Sequence, residues 1–266
     1  MKNSKQGFTL AEVLITLGII GVVAAITMPM LIGHYNKQVW VNQLKKTVST
    51  LENGVKLMMA EDGVDWLYET SAWSYVPLGG CSTYSSCTNF HENLKKYFNA
   101  TYTSVVNNSQ LSKSYLYLDK PGSFTSIPME MHLANGADIG VYWISKTPYV
   151  GGGWQGPMPN LVDVIIDVNG LKKEPNKLGR DVFIYAISEK GQVLPYGSAA
   201  AVREYCYLRV PGDDSNKANC FSSLSNGSGS WLWSKDSTNA QANCGKNSLG
   251  IACAARIMAE GWKMNY

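Results

Sequence analysis

The chain has 266 residues, of which 45% are hydrophobic and 16% charged, and its formal net charge is +3. This length is enough for one membrane helix and one globular domain of about 200 residues with a core of its own. Because no concentrated basic patch accompanies the small net charge, a nucleic acid is not expected as a partner.

A short polar segment precedes a long apolar run at the amino-terminal end. Residues 1–7 carry Lys2 and Lys5, whereas Val13 to Ile32 contains no charged residue. At about 1.5 Å per residue, a helix over that run spans a bilayer core of roughly 30 Å. Glu12 lies at the head of the run, and a carboxylate at membrane depth costs about 2.5 to 3.5 kcal/mol. Such a residue is expected to have a partner and a function.

The stretch Gly7-Phe8-Thr9-Leu10-Ala11-Glu12 resembles the type IV pilin and type II secretion pseudopilin family. Precursors in that family carry a short basic leader that ends in glycine, then phenylalanine, then Thr-Leu-x-Glu opening a long apolar helix. The resemblance implies that residues 1–7 are a leader, that prepilin peptidase cleaves between Gly7 and Phe8, and that the new amino group of Phe8 is methylated. It also implies that Glu12 is the assembly glutamate and that Pro29 kinks the helix.

Two other kinds of segment share an amino-terminal apolar run. A secretory signal peptide has an apolar region of about 7 to 15 residues and a small-residue cleavage site, for which Ala24-Ala25 is a weak candidate. An ordinary signal anchor explains the length of the run but leaves the sequence around Glu12 as a coincidence. We therefore expect residues 8–32 to form a transmembrane and assembly helix.

The position of Glu12 suggests a specific ionic partner. It follows Phe8 by four residues, so an amine freed at Phe8 would be the nearest cation, on the same helix or on a neighbouring one. Pairing between subunits would neutralise two charges in an apolar bundle and would give growth a direction. The alternative is that Glu12 is a solvated charge at the membrane surface.

Residues 33–62 are predicted to continue the same helix outside the membrane. Apolar residues recur there in steps of three and four, with helix end signals at Glu61-Asp62-Gly63. Because this stripe is too short for a coiled coil, we expect it to pack against the core of the chain's own domain. Its members are Val41, Leu44, Val48, Leu51, Val55 and Met58.

Residues 63–266 are predicted to form an extracytoplasmic globular domain. Residues 70–88 read as a surface loop, and Phe90 to Phe98 as a short helix. Residues 161–195 read as an antiparallel meander with turns at Asp167-Val168-Asn169-Gly170 and Glu189-Lys190-Gly191. The predicted strands are Tyr115–Leu118, Ile139–Ser145, Leu161–Ile166, Val182–Ile187 and Gln192–Leu194. The expected fold class is α+β, with the long helix packed on an antiparallel sheet, and it looks like the pilin fold.

The carboxyl-terminal third is predicted to be a long loop stapled by disulfides. Pro211 to Gly250 is rich in Ser, Asn, Gly and Asp, and a last helix is expected from Ser248 to Glu260, with Gly261 as its stop. The cysteines are even in number and all follow the membrane segment, as expected for an oxidising compartment, although the lysine distribution is equivocal about orientation. They are Cys81, Cys87, Cys206, Cys220, Cys244 and Cys253.

The cysteine spacings favour disulfides over a metal site. Cys81 and Cys87 form the natural local pair, and the pairing of the other four stays open. A zinc site needs paired short spacings with histidines nearby, which this chain lacks.

No catalytic or phosphate-binding motif is found, so an enzyme is not expected. No cofactor is expected either, with one weak exception. Some pseudopilins bind calcium in a loop of the sheet, and Asp167, Asn169 and Glu174 are oxygen donors around one turn. They lack the ligand spacing of a known calcium loop, so solvated turn residues are the favoured interpretation.

The resemblance implies a structural subunit that polymerises through its amino-terminal helix into a type II secretion pseudopilus or a type IV pilus. Its partners would be other pilin or pseudopilin subunits, prepilin peptidase, the inner-membrane assembly platform and the bilayer. It would be a single-pass protein of the inner membrane, with its carboxyl-terminal domain extracytoplasmic, and later part of a periplasmic or surface filament. The alternative is a membrane-tethered binding module, adhesin-like or at a filament tip, whose exposed aromatics engage a substrate. Its candidate residues are Trp66, Trp73, Trp143, Trp154, Trp231 and Trp233, for each of which a place in the core is the default.

Overall fold

The computed structural model describes most of the chain with several gaps. The described residues are 9–76, 88–102, 112–128, 131–149, 152–153, 156–157, 160–209, 214–225, 232–234 and 237–266. The chain divides into two compact units, Met1–Val39 and Trp40–Tyr266.

The first helix, α1, spans Leu10–Asp62 and is helical through Pro29. Its end is marked by Gly63, at φ +65°, and by the amide of Val64, which donates to the carbonyl of Met59 over 3.1 Å. Because glycine adopts positive φ without a Cβ penalty, the helix ends at the residues that the sequence indicates. The predicted end of the helix is confirmed.

Within the first unit, none of the described side chains is buried. The apolar ones are widely exposed, with Leu10 at 79% and Met30 at 71%. In the second unit, the exposed and buried residues of α1 alternate with the helical period. Its buried residues are Val41, Leu44, Thr47, Val48, Leu51, Gly54, Val55 and Met58, which contain the whole predicted stripe.

An antiparallel sheet of six strands forms the centre of the second unit, in the order β1-β4-β5-β8-β9-β10. Its strands are β1 (Ala100–Tyr102), β4 (Met131–Leu133), β5 (Asp138–Tyr149), β8 (Asn160–Asp167), β9 (Val182–Ile187) and β10 (Val193–Pro195). Two smaller antiparallel pairs are β2 (Ser112–Leu116) with β3 (Ser123–Pro128), and β6 (Gly152–Gly153) with β7 (Gly156–Pro157).

Both faces of the sheet are buried. Alternate residues of a strand point to opposite sides of the sheet, so one strand contributes to two cores. Val164 and Ile166 of β8 belong to the core that contains the stripe of α1, whereas Ile165 belongs to a second core. This second core includes Tyr115 of β2 and Phe124 of β3. The long helix followed by an antiparallel sheet confirms the predicted α+β class.

Helix α2 (Thr88–Phe98) packs closely on α1 at a glycine. A Cβ added to Gly54 would lie 2.4 Å from a ring carbon of Phe98 and 2.8 Å from the carbonyl of Tyr97. Beyond this contact, Glu61 of α1 accepts from Lys96 over 3.0 Å and from the Tyr97 hydroxyl over 2.8 Å. The end of α1 and the end of α2 are thereby held together.

The predicted antiparallel meander of residues 161–195 is confirmed in the order and the direction of its strands. Strands β8, β9 and β10 pair antiparallel, and the turn before β10 has Gly191 at φ +71° with its amide donating to Ser188 over 2.9 Å. A longer connection, residues 168–181, joins β8 to β9. Strands β1, β3, β4, β6 and β7 had no counterpart in the sequence predictions.

Three segments differ from the sequence predictions. The predicted surface loop of residues 70–88 begins with a 3₁₀ turn, Ser71–Tyr75, which buries Trp73 against Phe90 of α2, and residues 77–87 lie outside the described part. The predicted loop of residues 211–250 contains helix α4 (Asp214–Ser225). The last helix, α5 (Cys253–Ala259), begins five residues later than predicted, because Ser248 and Leu249 accept hydrogen bonds from the backbone after β2 instead.

Helix α3 (Ala199–Arg209), which follows β10, also had no counterpart in the sequence predictions. Gly261, at φ +71°, follows the end of α5 as predicted.

Candidate functional site

Thr9 and Glu12 form a reciprocal hydrogen-bonded cap at the start of α1. The Glu12 carboxylate accepts from the Thr9 amide and from the Thr9 hydroxyl, each over 2.8 Å, and the Glu12 amide donates back to the Thr9 hydroxyl over 3.3 Å. This is the capping-box arrangement, in which a Thr and a Glu three residues later satisfy amides that the first helical turn leaves free.

The cap bonds one oxygen of the Glu12 carboxylate, and both donors of the cap are neutral groups. Among the described residues, the charge of Glu12 is therefore not balanced by a cation. The two threonines that follow it, Thr16 and Thr27, donate to backbone carbonyls of the preceding turn over 2.9 Å. Between Leu10 and Gly33, Glu12 is the one residue with a charged side chain. It can still form an ion pair with a cation that approaches from outside the helix.

The exposed surface around Glu12 is apolar. One helix among the described residues, α1, is long and apolar enough to cross a membrane, and no residue of its most apolar window is buried. A surface of this kind is stabilised when it contacts lipid or other apolar helices. The predicted cleavage and methylation residues, Gly7 and Phe8, lie outside the described residues.

The sequence predictions assigned no structural role to Thr9. The signal was present, because Thr-x-x-Glu ahead of an apolar run is the capping-box pattern. Glu12 thus has a role at the start of the helix that is separate from any role between subunits.

The weak calcium candidates do not come together as a set of ligands. Asp167, at the end of β8, is fully buried and accepts from the Gly170 amide over 3.0 Å. The Asn169 amide donates to the main-chain carbonyl of Glu174 over 3.3 Å, and the Glu174 residue is exposed. Within the described ranges, no group of three or more His, Cys, Asp or Glu residues could hold a metal ion. The turn therefore does not fit a calcium site.

Asp167 belongs instead to a buried cluster of carboxyl groups at one end of the sheet. Asp138 lies opposite it on β5, and Asp181 lies just before β9. Asp138 accepts from His132 over 2.6 Å and from the Leu171 amide over 2.8 Å. The bond from Leu171 attaches the loop between β8 and β9 to the sheet, and the bond from His132 joins β4 to β5.

Burial, followed by the charges of Asp181 and Asp138, raises the pKa of Asp167 to about 8. Burial likewise raises the pKa of Asp181, although its carboxylate accepts from the amides of Asn176 and Lys177 over 2.8 and 2.7 Å. The sequence did not indicate this cluster, because its members come from three separate segments of the chain.

The four cysteines of the carboxyl-terminal region form two disulfides, Cys206–Cys220 and Cys244–Cys253. The first joins α3 to α4, and the second joins the loop before α5 to its first residue. The predicted disulfide-stapled region is confirmed, and the pairing that the sequence left open is now fixed. Cys81 and Cys87 lie outside the described residues.

The tryptophans considered for ligand binding differ in their environments. Trp73 is in the core at 1% exposure, whereas Trp66 is half-buried, with the Lys190 ammonium 5.8 Å from its ring. Lys190 also lies 4.8 Å from the ring of Tyr207, so this aromatic surface already holds a cation of the same chain. Trp233 is half-buried. The side chains of Trp143, Trp154 and Trp231 lie outside the part that the structure describes.

Comparison with protein families identifies the amino-terminal segment. Residues 2–28 match the model of the prokaryotic N-terminal methylation motif, which is the type IV pilin and pseudopilin signature. No curated protein and no solved structure matches the chain. The motif indicates a prepilin-type substrate that is processed by prepilin peptidase and anchored by a single apolar helix.

Proposed function

We propose that this chain is a structural subunit, not an enzyme, that polymerises through α1 into a type II secretion pseudopilus or a type IV pilus. Before assembly it resides in the inner membrane, with residues 1–7 as the leader, residues 8–32 as the membrane and assembly helix, and the domain that follows residue 62 on the extracytoplasmic side. The observation that carries the proposal is the methylation motif over residues 2–28 at the head of an apolar helix.

Two features of the described residues support a polymer. The apolar side chains of α1 between Leu10 and Ile32 are exposed in the single chain, so lipid or the equivalent helices of other subunits can cover them. The Glu12 carboxylate is capped but not neutralised. In an apolar bundle, an amine at Phe8 of a neighbouring subunit would supply the missing positive charge.

The double role of Glu12 makes a sharp test possible, because glutamine also serves at the third position of a capping box. Glu12→Gln keeps the acceptor for Thr9 and removes the charge. Thr9→Ala removes the hydroxyl of the cap and keeps the charge. If charge pairing drives assembly, the first variant is inserted and cleaved but does not enter filaments, whereas the second still assembles.

The measurement is photo-cross-linking between membrane helices in cells that express the assembly machinery. The cross-linker is placed at Leu17, which is 60% exposed. Loss of subunit cross-links in Glu12→Gln, together with their retention in Thr9→Ala, is the expected result. Equal cross-linking in Glu12→Gln and the parent would contradict the assembly role of Glu12 and would favour the tethered binding module.

A further inference from the structure

The helical hairpin of α3 and α4 is held in an unusual way. Cys206 on α3 is 1% exposed, and its partner Cys220 on α4 is half-buried. α3 also buries Ala201, Val202 and Tyr205 in the fold. In α4, by contrast, none of the described side chains is buried. The hydrophobic effect therefore fixes α3 to the domain and contributes little to the position of α4.

The sequence of α4 is also a poor helix former. Seven of its twelve residues, DSNKANCFSSLS, are Ser, Asn or Asp. These side chains compete for backbone hydrogen bonds, and a helix shorter than about 12 to 15 residues is marginal in water even with better residues. α4 therefore depends on attachment to α3 to stay helical.

Two cation–π contacts also join the described parts of the two helices. The Lys217 ammonium lies 4.7 Å from the ring of Tyr207, and the Arg203 guanidinium lies 5.1 Å from the ring of Phe221. The ion pair of Lys217 with Asp214, at 3.0 Å, lies within α4 itself. Because cation–π contacts near the protein surface add little, the covalent bridge is the strongest of these three connections between the helices.

The second disulfide has the opposite character. Both Cys244 and Cys253 are completely buried, in a cluster with Leu118. A Cβ added to Gly179 would lie 2.6 Å from the Cys253 sulfur, so backbone packs directly over this bridge. A reductant cannot reach it without opening the surrounding fold.

We propose that Cys206–Cys220 is a redox latch, which a dithiol of the thioredoxin class opens in the otherwise folded protein. A thiolate of the reductant attacks the Cys220 sulfur, the S–S bond breaks, and Cys206 leaves as a thiolate that takes up a proton. The second thiol of the reductant then attacks the mixed disulfide, releasing Cys220, which is protonated in turn. Two electrons and two protons pass to the chain, and the reductant becomes a disulfide.

Opening the latch lets α4 unfold and uncovers the outer face of α3 around Arg203 and Tyr207. The rest of the domain stays folded, because none of the described side chains of α4 belongs to a buried cluster of the domain. The inference does not depend on filament assembly and applies equally to a tethered module.

The test is a dithiothreitol titration of the full chain in detergent, with alkylation and peptide mapping of each cysteine. Cys206 and Cys220 are expected to become reduced at a reductant concentration about tenfold or more below that needed for Cys244 and Cys253. Hydrogen exchange, measured on the same samples, should show loss of protection in residues 214–225 while β8 and β9 remain protected.

The double variant Cys206→Ser with Cys220→Ser supplies a matched control that needs no reductant. It should show the same fast exchange in α4 and the same protected sheet as the reduced parent. Simultaneous reduction of both bridges would overturn the proposal. So would an α4 that keeps its protection after selective reduction, or a sheet that loses its protection in the double variant.

Discussion

Replacing Asp167 with asparagine should change the pH dependence of stability. The Asp167 carboxyl is fully buried beside Asp138 and Asp181, and its pKa rises from an ordinary value of 3.8 to about 8. One oxygen accepts from the Gly170 amide, and the other has no hydrogen-bond partner among the described residues. The folded state therefore favours the protonated form of this carboxyl.

The direction of the pH effect on stability follows from the pKa of Asp167 in the unfolded chain, 3.8, and in the folded chain, about 8. Between pH 4 and pH 8, the folded chain keeps a proton that the unfolded chain has lost, so the free energy of unfolding falls as the pH rises. The favourable contribution of the protonated carboxyl is fully present below about pH 4 and is lost through about pH 8. At about 1.4 kcal/mol per pKa unit, the shift corresponds to roughly 4 kcal/mol at pH 7 and on the order of 6 kcal/mol above pH 8.

Asparagine has the same shape, keeps an acceptor for Gly170 and carries no charge at any pH. Asp167→Asn should therefore unfold at higher urea concentration than the parent at pH 8 and at a similar concentration near pH 4. The measurement is urea unfolding of the full chain in detergent across this range, followed by tryptophan fluorescence. Asp65→Asn, at an exposed position, serves as the control and should follow the parent.

A decline of stability with pH that is as steep in Asp167→Asn as in the parent would refute this reasoning. Lower stability of the variant at pH 8 would refute it too. Burial also raises the pKa of the neighbouring Asp181 carboxyl, so some pH dependence remains in the variant. In Asp167→Asn, the number of protons released on unfolding between pH 4 and pH 8 should fall by about one.

Three further predictions concern packing, oxidation and processing. Gly54→Ala should destabilise the domain by about 1 to 3 kcal/mol in urea unfolding, because its Cβ would overlap α2, whereas Gly33→Ala, which meets nothing within 4 Å, should not. Removing the buried Cys244–Cys253 bridge with serines should cost about 2 to 5 kcal/mol in the same assay or prevent accumulation. Mass spectrometry of the native protein should find a methylated amino terminus directly after Gly7, and recovery of chains that still begin at Met1, in cells with active peptidase, would count against the motif as a cleavage site.

The sequence predicted the elements whose patterns are long and regular. The apolar stripe of α1 was predictable because buried residues recur with the helical period. Strands β8 and β9 were predictable because aliphatic residues dominate their runs between turn residues. The three-residue strands β1 and β4 have too little sequence for a periodic pattern, and only pairing with neighbouring strands defines them. Helix α4 was missed because its Ser and Asn content indicates a loop when its attachment to α3 is unknown.

The candidate site was predictable only in part. The charge at Glu12 stands out in an apolar run, and the spacing to Thr9 carries the capping signal, so both are local features of the sequence. The carboxyl cluster depends on cross-strand register between Asp138 and Asp167, which no local pattern reveals. The late start of α5 likewise depends on hydrogen bonds from Leu118 to Leu249, far apart in the chain.

Those contacts between the segment after β2 and the last part of the chain determine the order in which the domain can be completed. Asn247 donates to the Asp119 carboxylate across 128 residues of sequence, and the Tyr266 hydroxyl donates to the carbonyl of Gly179 over 2.7 Å. Because the chain is synthesised from its amino terminus, β2 and the Gly179 loop are exposed long before their partners are made. Since contacts of such wide separation form late and slowly, we expect these segments to stay accessible to chaperones and proteases until residues 247–266 have been made.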